Sequence, residues 1–188
     1  MRRCAVWMGC ALLLLTGCAP VAREPDNLAL VRVLGVDGES PVTLTAVCGR
    51  DKQGKVGRGS AEAEEFQQAR GQIPWSGTAE ELSLTGVSYL LVGPEADLER
   101  ILFSVLEDAD LGATATVWLT EGGAAAVLEA CEDPAANLEL LTLQGIKAPT
   151  VAQAIAALSS VGEVSLPCLE ARDGKLSERG ERQWRTDG

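Results

Sequence analysis

The 188-residue chain contains no histidine. That single absence excludes, within this chain, a Ser-His-Asp triad, a Cys-His pair, a histidine general base and any histidine-ligated metal. Aromatic residues are scarce, at 4%, which leaves Trp75, Trp118 and Tyr89 as the candidates for a stacking platform. Basic residues are also in short supply. Sixteen Lys and Arg stand against 27 Asp and Glu, for a net charge of -11 and a pI of about 4.5. A nucleic-acid surface needs clustered Lys and Arg, so the acidity argues against that class. Beyond the first twenty residues no run of ~18 apolar residues occurs, so nothing there reads as a transmembrane helix. What remains is an ordinary globular balance, 46% hydrophobic and 23% charged, and a length that suits one domain.

The first twenty residues read as an address. Arg2 and Arg3 form a basic n-region, and Ala11-Leu12-Leu13-Leu14-Leu15 completes a short apolar stretch. That stretch is too short to span a bilayer and reads as a secretory signal peptide over residues 1–17. It ends in Leu15-Thr16-Gly17-Cys18, the aliphatic-small-small-cysteine order of a bacterial lipobox. Small residues admit the peptidase, and the Cys18 thiol takes a diacylglyceryl group. Cys18 is therefore the expected lipid attachment site, with residues 18–27 as a tether and membrane lipid as a partner. Two or more acyl chains anchor stably. Removal of residues 1–17 leaves 14 basic residues against 27 acidic ones, a net charge of -13. Such a body is repelled by anionic lipid, so the acyl chains must do the anchoring. The expected location is the outer face of the cytoplasmic membrane.

Of the six cysteines, Cys4 and Cys10 leave with the signal and Cys18 is acylated. Cys48, Cys131 and Cys168 remain, enough for one disulfide at most. Cys48 and Cys168 could face each other, but the favoured reading makes all three small buried hydrophobes.

From Leu28 onward strands and helices alternate. Leu28–Asp37 and Val42–Cys48 read as a hairpin turned through Gly38, Ser40 and Pro41. Residues 49–59 are basic and glycine-rich and read as a mobile solvated loop. Ser60 is expected to cap a helix to about Arg70, stopped by Gly71. Residues 82–92 give a strand interrupted near Gly86. Gly93-Pro94 is expected to start a helix, with Leu98, Ile101, Leu102, Val105 and Leu106 on its apolar face. Ala113–Thr120 is a strand. Three helices follow: Gly123 to Ala130, Asp133-Pro134 to Gln144, and one opened by Pro149-Thr150 with Val151, Ile155 and Leu158 on one face. Glu163–Glu170 is the last expected strand, which Pro167 puts at an edge or ends early. Asp173-Gly174 makes a turn, and residues 177–188 read as a charged, frayed tail. The expected fold is α+β: a single domain over residues 28–176 with a mixed sheet of about five strands covered by helices.

Catalytic chemistry finds little purchase in this pattern. The glycine-rich loop lacks the Gly-Lys-Ser/Thr ending that cradles phosphate. Asp108-Ala109-Asp110 lacks the further oxygen ligands of a calcium loop and reads as the C-terminal turn of a helix. Glu80-Glu81 and Glu129/Glu132/Asp133 read as solvated acidic faces. Ser40, Ser88 and Ser104 have no histidine to activate them, and Lys147 lies in no Ser-x-x-Lys arrangement. No catalytic residue, cofactor or metal site is assigned, and the expectation is a protein that is not an enzyme.

Four segments, in order, resemble the Ger(x)C family, the lipoprotein C subunits of spore germinant receptors. Leu30-Val31-Arg32-Val33-Leu34-Gly35-Val36-Asp37 is similar to the family's opening strand with its Leu-Gly-Ile/Val-Asp ending. Val87–Gly93 followed by the helix at Leu98 resembles its strand-Gly-helix unit. Thr116–Gly122 with Ala126–Ala130 is similar to its next strand and short helix. Pro149–Leu158 with Val164-Ser165-Leu166-Pro167 resembles the helix and Leu-Pro strand that close the first domain. The resemblance covers that N-terminal domain only, and the lipobox at Cys18 agrees with it. It implies a non-enzymatic lipoprotein of the spore inner membrane, acting in germination by docking to integral membrane receptor subunits. The alternative is an extracytoplasmic solute- or envelope-binding lipoprotein unrelated to germination, which would need a ligand pocket. A carboxylate-pair enzyme ranks behind both.

Overall fold

The structure, a computed structural model, describes residues 28–51, 53–74 and 81–185. The chain runs β1 (Leu28–Asp37), β2 (Val42–Arg50), β3 (Val56–Ala63), α1 (Phe66–Gln72), β4 (Glu81–Ser83) and β5 (Tyr89–Val92). It continues α2 (Leu98–Glu107), β6 (Thr116–Thr120), α3 (Ala124–Ala130), α4 (Pro134–Leu143), α5 (Val151–Val161), β7 (Glu163–Arg172) and β8 (Lys175–Arg185). All eight strands join one mixed sheet, in the order β3-β2-β1-β5-β6-β7-β8, with β4 paired to the start of β1. The inner strands β1, β5, β6 and β7 are parallel; β2 and β3 on one side and β8 on the other run antiparallel to their neighbours. The fold is therefore α+β, as expected, but with eight strands where about five were expected.

Both faces of the sheet are covered, because the inner strands are apolar on both sides. On one face Val31, Leu34, Val36, Leu90, Val92, Val117 and Leu166 pack under α1, α2 and α5. On the other, Val33, Val47, Leu91, Trp118 and Leu169 pack under α3 and α4. The helix ends carry their own signals. Asp97 accepts the Arg100 N–H to cap α2, Asp133 accepts that of Ala136 to cap α4, and Thr150 with Gln153 forms a capping box on α5. Gly162, at φ 78°, ends α5 in the left-handed conformation. On α2, Leu98, Ile101, Leu102 and Val105 are buried, whereas Leu106 is 49% exposed. The helix starts at Leu98 behind its Asp97 cap rather than at Gly93-Pro94.

Three expectations are corrected. Residues 56–63 are strand β3, not part of a loop and helix. Gly59 is there for close approach: a Cβ would collide with the Pro74 carbonyl that crosses this strand. Ser60 caps no helix; its hydroxyl bonds to the Leu44 carbonyl at 3.1 Å. The charged tail is strand β8, with Leu176 buried in one core layer and Trp184 packed against the other. Its charges suit an edge, and Arg185–Glu163 (3.0 Å) and Arg179–Glu170 (3.1 Å) lie along it. Pro167 neither puts its strand at an edge nor ends it early, since the strand runs on to Arg172. Strand β7 is interior, but its pairing with β6 starts only at Cys168, and the ladder to β8 shifts register between Pro167 and Leu169. Those two gaps accommodate the missing donor.

One ion pair fixes α1 against the end of α2. Arg70 Nε lies 2.9 Å from Asp108 Oδ2, with side-chain exposures of 28% and 3%, and Arg70 also reaches Asp110. The Nε–Oδ2 contact is an ion pair without well-aligned hydrogen-bond geometry. Removing one member of such a pair strands the other charge in the interior. Arg70→Met is expected to cost about 3 kcal/mol in urea unfolding, and Arg70→Met/Asp108→Leu to recover most of it. A loss below about 0.5 kcal/mol in the single variant would show that the pair is no more than a surface contact.

Candidate functional site

In open sheets of parallel strands, ligands ordinarily bind at the carboxyl ends, where helix N-termini offer unpaired N–H groups. The corresponding residues here are Asp37 at the end of β1, Gly93 after β5, Thr120 at the end of β6, and Glu121-Gly122-Gly123 between β6 and α3. The N-cap position of α3 is Gly123, which has no side chain and so makes no side-chain cap. Its first N–H groups are instead taken by Asp37, 87 residues away in the chain. The Ala124 N–H donates to Asp37 Oδ1 at 2.6 Å, and the Ala125 N–H donates to Oδ2 at 2.7 Å. A carboxylate at the positive end of the helix is favourable both as an acceptor and as a charge.

The neighbouring residues are shaped around that carboxylate. A Cβ at Gly93 would overlap Asp37 Oδ1, whereas one at Gly123 would meet it only at contact distance, 3.4 Å. The Gly93 N–H donates to the Val36 carbonyl at 2.9 Å. The buried Thr120 hydroxyl lies 2.5 Å from the Gly122 carbonyl and 3.3 Å from that of Val92. Beneath α3, Gly35 leaves room for the helix: a Cβ there would stand 2.6 Å from Leu128 Cδ1 and 3.3 Å from Ala124 Cβ. The segment Leu34-Gly35-Val36-Asp37 therefore seats α3 with its glycine and caps it with its aspartate. Where a ligand would be expected, the chain supplies its own anion.

The residues singled out in the sequence do not converge on this place. Cys18, the expected lipid attachment site, lies outside the described residues, as do Glu80 and Trp75. Trp118 is fully buried under α3 and α4, its Nε1 donating to Thr116 Oγ1 at 2.9 Å, so it forms no platform. Tyr89 packs half-buried against the same core layer. Asp108 and Asp110 form the turn after α2 and bind Arg70, as a helix end and not a calcium loop. Asp133 caps α4 and takes the Arg50 Nε–H at 2.6 Å. A concavity between α2 and α5, lined by Leu102, Phe103, Ile155 and Leu158, measures about 40 Å³, far below the ~300 Å³ of a small-molecule site. Among the described residues no group of three or more His, Cys, Asp or Glu is placed to hold a metal ion.

Sequence reading missed the role of Asp37. The available signal was the uncapped start Gly122-Gly123-Ala124, which requires an acceptor from elsewhere in the chain. The three cysteines of the folded body are buried and unpaired. Burial pushes the Cys48 thiol up to about 12, and raises those of Cys131 and Cys168 as well. A raised thiol holds its proton at neutral pH and is a poor nucleophile.

Comparison with known proteins gave no match to a family model, to a curated protein or to a solved structure.

Asp37→Ala removes both acceptors from the first turn of α3. It should lower stability by about 1–2 kcal/mol in chemical denaturation, with hydrogen exchange quickening first at Ala124 and Ala125. Unchanged exchange at those two amides would refute the cap. Thiol titration of the native protein at pH 8 should find Cys48 unreactive and should release it on unfolding in guanidinium. The same linkage makes Cys48 a source of alkaline instability. Its buried thiol favours folding fully below the ordinary thiol range, and that contribution is lost as pH rises toward about 12. Cys48→Ala should flatten the alkaline limb of the stability profile, and an identical limb would show that the loss arises elsewhere.

Proposed function

We propose that this protein is a non-enzymatic, lipid-anchored docking domain of the Ger(x)C kind, serving in a spore germinant receptor beside integral membrane subunits. The observation that carries the reading is the lipobox Leu15-Thr16-Gly17-Cys18, set one short tether ahead of β1. The geometry at the strand ends supports it. The usual ligand crevice is filled by Asp37, and the nucleophilic thiols are buried and protonated. The resembling segments also fall on working parts of the fold. Leu34-Gly35-Val36-Asp37 seats and caps α3, Val87–Gly93 contains β5 and the glycine that clears Asp37, and Pro149-Thr150 opens the capping box of α5.

The mechanism is confinement. Acyl chains on Cys18 hold the domain within a tether's length of the bilayer and raise its effective concentration near membrane partners to the millimolar range. A weak interface then suffices for docking. Acidity keeps the body off the anionic lipid surface and leaves its faces free for protein.

Cys18→Ala should move the protein from the membrane fraction to the soluble fraction, with loss of the diacylglyceryl mass from the N-terminal peptide. Retention of the variant in carbonate-washed membranes would reject lipid anchoring. Affinity purification of the wild-type chain from detergent-solubilised spore membranes should bring down a multi-span membrane protein. Recovery of the chain alone would reject docking while leaving the anchor intact.

A further inference from the structure

The two edges of the sheet are built differently. Strand β8 is crowded with charge and shifts register where Arg179 and Gly180 face Cys168, with Gly180 at φ 107°. Charges and bulges of this sort keep an edge from pairing with another strand. Strand β3 is less guarded: it carries one basic and one acidic residue, Arg58 and Glu62, and its ladder to β2 shifts register only near its start, between Arg58 and Val56. Its register with β2 runs unbroken from Ala63 to Arg58, it has no proline, and small residues fill most of it. Among the described residues no strand pairs with its outer side.

The charge along this edge changes sign at Ser60. Lys55 and Arg58 precede it, and Glu62 and Glu65 follow it. Arg58, Ser60 and Glu62 share the face opposite Gly59, and Ser60 and Glu62 are exposed. Arg58 Nη2 donates to the carbonyls of Cys131 and Glu132, but its Nε is buried without a hydrogen-bond partner. No carboxylate lies within ion-pair distance of Arg58 among the described residues.

We propose that β3 pairs antiparallel with β3 of a second copy about a two-fold axis through Ser60, forming a dimer with one continuous sheet. An antiparallel strand placed on that axis sets residue 60 opposite residue 60 and each position opposite its mirror. Arg58 then faces Glu62 of the second copy, twice, on the same side of the sheet. Just beyond the strand ends, Lys55 falls toward Glu65 of the second copy, also twice. A parallel partner would instead lay acid on acid and base on base, so the charge order selects the antiparallel two-fold.

The test is sedimentation of the full-length chain in mild detergent, with Glu62→Arg and Arg58→Glu variants. The wild type should sediment as a dimer that weakens as salt rises. Glu62→Arg converts two attractive cross-strand pairs to repulsive ones and should weaken the dimer ~100-fold. An equimolar mixture of Glu62→Arg and Arg58→Glu chains restores both pairs and should form a heterodimer. Arg58 also braces the α3–α4 turn, so the exposed pair Lys55→Glu with Glu65→Lys gives the same mixing experiment without that residue. A wild type that stays monomeric up to about 0.1 mM, or a dimer indifferent to Glu62→Arg, would overturn the proposal.

Discussion

The bond between Asp37 and the first turn of α3 joins the end of strand β1 to a helix 87 residues further along. Helix α3 has no side-chain cap of its own, and its seven residues are too few to hold together without outside support. Docking by Asp37 places Ala124, Val127 and Leu128 over Val33, Leu91 and Trp118. Without it α3 would lose its hold on this face, which it covers together with Leu138 and Leu141 of α4. The glycines at 35 and 93 are set by the same requirement, since the first makes room for the helix and the second for the carboxylate that holds it. The paired hydrogen bonds from one carboxylate thus go with the missing side chains at two further positions, 35 and 93.

Much of this fold was legible in local sequence, wherever one signal decided an element. Helices α2, α4 and α5 follow from an apolar stripe or a cap that acts within one turn, and β1, β2, β5 and β6 from β-branched apolar runs. Strands β3 and β8 were not legible. Residues 56–63 are rich in glycine and charge, which is loop chemistry when read alone. Their strand identity comes from the ladder with β2 and from Pro74 lying across Gly59. In β8 the alternation is masked, because an edge strand carries charge on positions that an inner strand would give to Val or Ile. Tertiary pairing overrode local preference in both cases.

The candidate site was illegible for a related reason. Asp37 reads as the polar end of a hairpin strand, and nothing near it in sequence indicates a helix terminus. Only the bare glycines before α3 pointed to a missing acceptor. By contrast the role of Asp108 could be read locally as a helix end, although its partner Arg70 could not. Contacts between residues far apart in sequence decide both sites, and composition has no access to them.

The charge distribution acquires a sharper meaning once the edges are placed. The charges of β8 guard one side of the sheet against further strands. Those around β3 are ordered by sign along the strand and so are self-complementary when reversed. A two-fold pairing through β3 would consume the less guarded edge of each copy and leave a guarded β8 at either end. Such an assembly closes on itself, whereas a head-to-tail union of β3 with β8 would leave an open edge at every step and grow without limit. That distinction separates a finite complex from an aggregate. The uneven chemistry of the two edge strands is the feature that enforces it.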